Sequence, residues 1–304
     1  MASSVPDQFL IIVGAPKCGT TTLANWLGRR SDMVLCAQKE PRFFTDFAAV
    51  DWQGPVADAF VQTMISDEDA YWRAFDNDKG ATWGIDASTD YLWCETSAER
   101  IKRFAENRKV KLICILRDPV DRALSEYQHT RRDAMQTESF RESLTLEEER
   151  RRKFWHPLFY HVRRGSYHAD LARYFELFGD DMMMMDFAEI ADPKRCLARI
   201  ADFLALPFEA TATADRFNAS YVEASPLLTR AINSYKAKKA ARTLLGERAA
   251  AAMFDKARRL NRKRISFTED DRARMFEKVA ADVAACRDDA RIPTGNWASV
   301  ERLG

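Results

Sequence analysis

The chain has 304 residues, of which 46% are hydrophobic and 31% are charged, and its formal net charge is +1. A chain of this length buries a full hydrophobic core, either as one large domain or as two small ones. The nearly balanced charge gives no reason to expect nucleic acid as a partner, and no stretch approaches the roughly 18 apolar residues of a membrane span.

The N-terminus and the cysteines indicate where the protein works. The first eight residues are polar and do not show the basic and then apolar pattern that marks an export signal. Six cysteines are scattered along the chain without a C-x-x-C pair. This spacing is typical of reduced thiols and not of a disulfide framework or a zinc site. We therefore predict a cytoplasmic protein.

Strand-like and helix-like segments alternate along the first two thirds of the chain. The strand-like runs are Leu10–Val13, Met33–Cys36, Trp83–Ala87, Lys111–Leu116 and Met182–Phe187. The helix-like segments are Thr20–Arg29, Ser97–Asn107, Pro119–Arg132, Tyr167–Phe178 and Pro193–Leu204. This alternation predicts an α/β fold with a central parallel sheet flanked by helices. A helical C-terminal tail packed on the sheet is predicted from Leu227–Leu245, Arg248–Leu260 and Thr268–Cys286.

The segment that follows the first strand is built to hold a phosphate. A Gly/Pro-rich turn precedes three threonines that open a helix, so backbone N–H groups and a helix N-terminus point at one place. Gly14 and Gly19 have the spacing of a nucleotide-triphosphate P-loop, but Thr20 and not lysine follows the second glycine. The lysine, Lys17, lies inside the loop. The candidate nucleotide-binding residues here are Lys17, Cys18, Gly19, Thr20, Thr21 and Thr22.

A second strand, turn and helix repeats this arrangement at Leu116–Gln128. Arg117 lies at the carboxyl edge of its strand, where ligands gather in open α/β sheets, and its planar guanidinium suits phosphate oxygens. Ser125 lies about two turns into the helix that Pro119 begins. Alternatively, Arg117 pairs with a neighbouring aspartate as a structural bridge.

A carboxylate follows the second strand. Glu40, in the segment Gln38–Thr45, is a candidate general base if it lies in the cleft, and otherwise an exposed loop residue. The four histidines, at positions 129, 156, 161 and 168, are more typical of structural or solvated side chains. Glu40 is therefore the preferred base. The alternative is that one of the histidines, and not Glu40, acts as the base.

Together these segments resemble the sulfotransferases that use 3'-phosphoadenosine 5'-phosphosulfate (PAPS), in particular the bacterial and glycosaminoglycan branch. Residues 16–23 are similar to that family's 5'-phosphosulfate loop, residues 116–125 to its 3'-phosphate site, and residues 40–44 to the segment that carries the base. The resemblance runs from about residue 8 to residue 210 and implies a P-loop-like three-layer fold. Two motifs at the expected separation are more specific than one glycine-rich loop.

The resemblance also implies a mechanism. Lys17 would stabilise the leaving phosphate, Glu40 would take the acceptor's proton, and Arg117 and Ser125 would bind the 3'-phosphate. The donor would be PAPS, the product 3',5'-ADP, and no metal would be required. The acceptor would be a small molecule or a glycan. Two departures stand out: Ala87 and Thr89 replace a lysine or proline that the branch often carries, and only the basic run 262–264 is available to substitute for its late 3'-phosphate loop.

A single domain is expected over residues 1–304. Its nucleotide-binding core would span residues 1–134, and residues 166–304 would supply the last core strand and the helical tail. The charged segment 135–165 ends in aromatic residues and is expected to form a lid that contacts the acceptor; a packed helix with a buried aromatic edge explains the same pattern. Two other functions compete, namely a P-loop ATP-dependent kinase and a non-catalytic nucleotide-binding protein.

Overall fold

A five-stranded parallel sheet forms the centre of the protein. The computed structural model describes residues 5–75, 80–209, 246–260 and 266–304, with the pairs 222–223 and 262–263 and positions 241 and 243. The strands are β1 (Gln8–Gly14), β2 (Met33–Leu35), β3 (Trp83–Ala87), β4 (Lys109–Leu116) and β5 (Met182–Asp186). Their spatial order is β2-β3-β1-β4-β5, and every neighbouring pair is parallel. The predicted α/β fold is confirmed.

The central strands are apolar along almost their whole length because helices cover both faces of the sheet. Residues 9–13 of β1 and residues 112–116 of β4 are fully buried. The two strands pair in parallel up to Gly14, which lies opposite Cys114, and the N–H of Ala15 extends the pairing with a 2.7 Å hydrogen bond to the carbonyl of Ile115. The loops that leave β1 and β4 therefore start side by side.

Eleven helices flank this sheet in the described ranges. They are α1 (Thr20–Leu27), α2 (Ala57–Gln62), α3 (Glu68–Arg73), α4 (Ser97–Phe104), α5 (Pro119–Arg132), α6 (Phe140–Arg152), α7 (His168–Phe178), α8 (Pro193–Leu204), α9 (Glu247–Leu260), α10 (Glu269–Asp288) and α11 (Ala298–Glu301). The predicted bounds hold for α5 and α8 and within a few residues for the other predicted helices. Apart from positions 241 and 243, the predicted helix 227–245 lies outside the described residues.

The C-terminal helix α10 packs on other helices more than on the sheet. Thr268 caps it in a capping box with Asp271, as the acidic first turn predicts. Its buried residues Met275, Val279 and Val283 form one cluster with apolar residues of α5 and α6. Cys286 and Trp297 reach the main core beneath the sheet. The tail therefore lies against α5, the helix that carries Ser125, whereas the sequence predicted that it packs on the sheet.

All six cysteines are buried and free, so the structure contains no disulfide among them. Within the described residues, no helix combines the length and the apolar character that crossing a membrane requires. Residues 262–263 pair as a two-residue antiparallel strand with residues 222–223. Position 264 of the same basic run lies outside the described residues.

Candidate functional site

A cavity of about 1050 Å³ lies at the carboxyl edge of the sheet. Loops that follow all five strands contribute to its wall. Eight of the nine residues singled out from the sequence lie on it: Lys17, Gly19, Thr20, Thr21, Thr22, Glu40, Arg117 and Ser125. Basic side chains outnumber acidic ones on the wall, six to three. The cavity is therefore suited to an anionic ligand.

The loop after β1 bends sharply before it enters α1. Lys17 and Gly19 both have left-handed backbone angles, with φ of 68° and 83°. Gly19 is the N-cap of α1, so the first N–H groups of that helix, on Thr20 and its neighbours, have no acceptor within the helix. A side chain at Gly14 would place its Cβ 2.8 Å from the Cβ of Leu92. The loop thus depends on its glycines and presents free N–H donors to the cavity.

The Cys18 side chain does not line the cavity. It is fully buried, and its thiol donates a 3.4 Å hydrogen bond to the carbonyl of Pro16. Burial raises the pKa of the thiol to about 12. Cys18 therefore fills the inside of the turn, and only its backbone is left for the ligand contact predicted from the sequence.

Lys17 extends from this loop toward α5. Its Nζ lies 3.4 Å from Nδ1 of His129, and the Nε2 of His129 lies 2.9 Å from a carboxylate oxygen of Asp133. Burial lowers the pKa of the Lys17 amine to about 8, although the negative charge of Glu126 partly offsets this effect. The amine is therefore partly removed from water, and its charge acts more strongly on an approaching anion than that of a fully solvated amine would.

Arg117 is not used in the structural bridge that the sequence left open. Asp118 caps α5 and accepts hydrogen bonds from Ser299, while Asp121 pairs with Arg272 at 2.8 Å. The Arg117 guanidinium instead lies 4.8 Å from the centre of the Phe187 ring, and no carboxylate of the described residues pairs with it. Its N–H donors are available on the cavity wall.

One face of α5 supplies the wall beside Arg117. Ser125, His129 and Arg132 follow one another at intervals of four and three residues, and all three line the cavity. This spacing places side chains on one side of a helix. The spacing in the sequence therefore indicates His129 and Arg132 as neighbours of Ser125, a signal that a histidine considered on its own does not carry.

Glu40 lies on the opposite wall, held by Arg42. Arg42 donates to Glu40 Oε2 at 2.6 Å and to the Glu40 carbonyl at 2.9 Å. Its Nε donates to Asp90 at 2.6 Å, which anchors the pair to the end of β3. The Glu40 side chain is 21% exposed, and its other oxygen makes no hydrogen bond with the described residues. Glu40 is thus a fixed cavity carboxylate and not an exposed loop residue.

The family model of the sulfotransferase domain matches residues 7–226. The chain belongs to the sulfotransferase family. A solved sulfotransferase from Alicyclobacillus acidocaldarius is 32% identical with a TM-score of 0.63, over 83% of this chain and 96% of that one. The recognition made from the two phosphate motifs is confirmed at the level of the family, and the protein is an enzyme of sulfuryl transfer.

Two more distant solved structures carry the same activity in their names. Mouse sulfotransferase SULT7A1, complexed with PAP, is 16% identical with a TM-score of 0.44, over 94% of this chain and 90% of that one. The sulfotransferase domain of the Synechococcus PCC 7002 olefin synthase is 16% identical with a TM-score of 0.40, over 92% and 97%. Similarity this low carries no argument about this chain. No curated protein gave a significant match.

A chain of buried charges, three of which (Asp90, Glu126 and Arg164) line the cavity of this sulfotransferase, links its two walls. Arg164 donates to Asp90 at 2.9 Å and to Glu126 at 2.6 Å. Glu126 also accepts from Arg122 at 2.9 Å and lies 3.1 Å from Nδ1 of His161. Burial alone would raise the pKa of Glu126, but the charges of Arg122 and Arg164 outweigh it and hold the pKa far below its ordinary value. Glu126 is therefore ionised within this network.

The segment 135–165 meets the cavity with different residues from those expected. Its aromatic residues Phe159 and Tyr160 are buried in a cluster with Phe47 and Trp52, so they are not free to stack on an acceptor. The wall instead receives His156, Pro157, Leu158 and Arg164. The packed-helix interpretation explains these two buried rings, whereas Phe154 is 55% exposed. The short turn after α6 and Arg164 face the cavity. The role of this segment as a lid that contacts the acceptor stays a prediction.

His156 is a neutral member of this wall. Its Nδ1 accepts the N–H of Leu158 at 3.0 Å, and its ring lies 4.2 Å from that of Phe60. Burial lowers the pKa of His156 to about 3, so the ring carries no charge near pH 7. Since Nδ1 accepts, Nε2 carries the proton and is a hydrogen-bond donor.

Proposed function

We propose that the protein transfers a sulfuryl group from PAPS to a hydroxyl or amine of an acceptor, a carbohydrate or a small metabolite. The observation that carries this proposal is the position of Lys17 and Arg117 on one cavity wall, at the ends of neighbouring strands β1 and β4. Two cationic groups at two separate anion sites match a nucleotide that carries phosphate at both its 3' and 5' positions.

The loop after β1 is the proposed 5' site. The N–H groups of Gly19, Thr20 and Thr21 at the start of α1 would hold the 5'-phosphate, and threonine hydroxyls would add donors. Lys17 lies in the same loop, with its amine 3.4 Å from Nδ1 of His129. Among the described residues, no carboxylate forms an ion pair with this amine. PAPS supplies an activated sulfuryl group on this phosphate.

The start of α5 is the proposed 3' site. Arg117 offers the planar pair of donors that suits phosphate, and Ser125 lies on the cavity face of the helix that follows. The N-terminus of α5 favours negative charge in the same place. A 3'-phosphate bound here would distinguish PAPS from ATP.

The proposed reaction is an in-line displacement at sulfur. The acceptor oxygen or nitrogen forms a bond to sulfur while the bond between sulfur and the bridging oxygen breaks, and 3',5'-ADP leaves. Lys17 would stabilise the negative charge that grows on the leaving phosphate. Glu40 would take the acceptor proton through the oxygen that Arg42 leaves without a hydrogen bond.

The side chains around Glu40 support a polar acceptor. Gln38, Thr63 and Thr89 line this part of the cavity beside the neutral His156 donor. Their charged neighbours Arg42, Asp90 and Arg164 are paired with one another or with Glu40. An acceptor rich in hydroxyl groups would find both donors and acceptors there.

An ATP-dependent kinase is the competing function. It would require a lysine after Gly19, where Thr20 stands, and a magnesium-binding carboxylate on a neighbouring strand. The carboxylates at the end of β3 are already engaged: Asp86 accepts three hydroxyl hydrogen bonds, and Asp90 pairs with two arginines. The described residues contain no cluster of three or more metal-ligating side chains.

Calorimetric titration separates the two functions. The protein is titrated with 3',5'-ADP in the presence of EDTA and, separately, with ATP in the presence of Mg²⁺. Tighter binding of 3',5'-ADP without metal is expected for sulfuryl transfer from PAPS. Magnesium-dependent ATP binding that exceeds it would favour the kinase.

A further inference from the structure

The C-terminal segment returns to the junction between β4 and α5. Ser299, in the short helix α11, donates from its backbone N–H to Asp118 Oδ2 at 2.7 Å and from its hydroxyl to Asp118 Oδ1 at 2.8 Å. Both residues are buried, at 2% and 6% exposure, and they are 181 positions apart. Residue 299 lies beyond the region that the sulfotransferase family model matches.

Asp118 has a second role at the same junction. Its Oδ1 accepts the N–H groups of Val120 at 2.8 Å and of Asp121 at 3.3 Å, and so it caps α5. It also follows Arg117 directly in the chain. The contact with Ser299 therefore fixes the side chain of Asp118. This residue caps the helix that carries Ser125 and is joined to Arg117 by a peptide bond.

The other side of this peptide unit is held by the same region of the protein. The Tyr167 hydroxyl donates to the Arg117 carbonyl at 3.0 Å. The backbone N–H of Tyr167 donates to Asp282 of α10 at 2.7 Å, and its ring centre lies 5.9 Å from that of Trp297. Residues 282–299 thus enclose the Arg117–Asp118 unit without lining the cavity themselves.

We infer that Ser299 is a positioning residue for the 3'-phosphate site: through Asp118 it fixes the direction from which Arg117 meets that phosphate. This inference rests on the proposed function, since it needs the 3'-phosphate to bind at Arg117. It assigns the C-terminal segment, which the family model does not cover, to the construction of the nucleotide site.

The experiment compares two nucleotides that differ only in the 3'-phosphate. The dissociation constants of 3',5'-ADP and 5'-AMP are measured by calorimetry for the wild type and for Ser299→Ala. We expect the variant to bind 3',5'-ADP about 3- to 10-fold more weakly, which is the effect of one lost hydrogen bond, and to bind 5'-AMP as the wild type does. Ser299→Thr keeps the hydroxyl and is expected to restore the affinity.

Ser143→Ala is the matched control. Ser143 is also fully buried, and its hydroxyl donates to a backbone carbonyl in α6, away from the cavity wall. This variant loses one buried hydrogen bond, as Ser299→Ala does, but is expected to change neither dissociation constant. It separates a general loss of stability from a specific loss of 3'-phosphate binding.

Equal weakening of both nucleotides, or no change in either, would overturn the inference. Should Ser299→Ala fail to fold, Asp118→Asn provides the same test, because asparagine keeps the helix cap but opposes an amide group to the Ser299 N–H. A wild type that binds 3',5'-ADP no better than 5'-AMP would instead contradict the proposed 3' site itself. The two failures are therefore distinguishable.

Discussion

The amine of Lys17 and the imidazole Nδ1 of His129 lie 3.4 Å apart, although 112 positions separate them in the chain. The first residue belongs to the loop after β1 and the second to the cavity face of α5. Asp133 holds the far side of the imidazole at 2.9 Å. This contact joins the loop after β1 to the cavity face of α5.

Replacement of Lys17 by alanine is expected to lower turnover at least about 100-fold, the usual cost of removing a donor that stabilises the transition state. The measurement is the rate of radiolabelled sulfuryl transfer under saturating donor. Lys194→Ala, an exposed lysine of α8, is the matched control and is expected to keep wild-type turnover. Wild-type turnover in Lys17→Ala would remove this lysine from the mechanism.

The pH dependence of kcat/KM for PAPS is expected to follow Lys17. Burial lowers the pKa of its amine to about 8, and the mechanism needs the protonated form. The rate should therefore fall as the pH rises through about 8, because kcat/KM reports the free enzyme. In Lys17→Arg the guanidinium stays charged, so the same limb should be flat. A rising rate above pH 8 in the wild type would contradict the role of the amine.

Glu40→Gln is expected to reduce turnover by about 10²- to 10⁴-fold, since it removes the proton acceptor while keeping the shape of the side chain. Binding of 3',5'-ADP should be unchanged, because the carboxylate lies on the opposite wall from Arg117. The exposed Glu148→Gln serves as control. If turnover survives in Glu40→Gln, a cavity histidine such as His129 becomes the base to test.

Arg117→Ala is expected to weaken 3',5'-ADP binding by about 1.5–3 kcal/mol, as for a lost hydrogen bond to a charged group. Calorimetry gives this value directly. The affinity of Arg117→Ala for 5'-AMP, which lacks the 3'-phosphate, should not change. The control variant Arg103→Ala, at an exposed arginine, should bind 3',5'-ADP as the wild type does. Unchanged 3',5'-ADP affinity in Arg117→Ala would rule out the assigned site.

Glu126→Gln is expected to destabilise the protein by about 3–5 kcal/mol near neutral pH, because two buried arginines lose their shared counter-charge. Urea unfolding measures this difference. The folded-state pKa of Glu126 lies below its ordinary value near 4.5, so its contribution is present above that value and is lost as the pH falls. The difference in the free energy of unfolding between wild type and variant should therefore become smaller in acid. A difference that does not depend on pH would contradict the network.

The strands and the two strand–turn–helix motifs were readable from the sequence because they are local. Continuous apolar runs marked β1 and β4, and the Gly19 turn and Pro119 marked the helices that follow them. Eight of the nine candidate residues line one cavity, since the carboxyl ends of parallel strands share one edge of the sheet.

Long-range pairing was not readable. Arg42, Asp90, Glu126 and Arg164 form one buried network, but bonded partners in it are up to 74 positions apart in the chain. No helical spacing in the sequence indicates contacts over such distances. Only the Arg122–Glu126 pair, four residues apart on α5, left a pattern in the sequence. The contact of Ser299 with Asp118 likewise depends on how the tail returns to the core.

A crystal structure with bound 3',5'-ADP tests the central claim most directly. We expect the 5'-phosphate at the N–H groups of residues 19–21, near the Lys17 amine, and the 3'-phosphate on Arg117 and Ser125. The account would be contradicted if no phosphate lay at residues 19–21, or if none lay at Arg117 and Ser125. A Lys17 amine that points away from the 5'-phosphate would also contradict it.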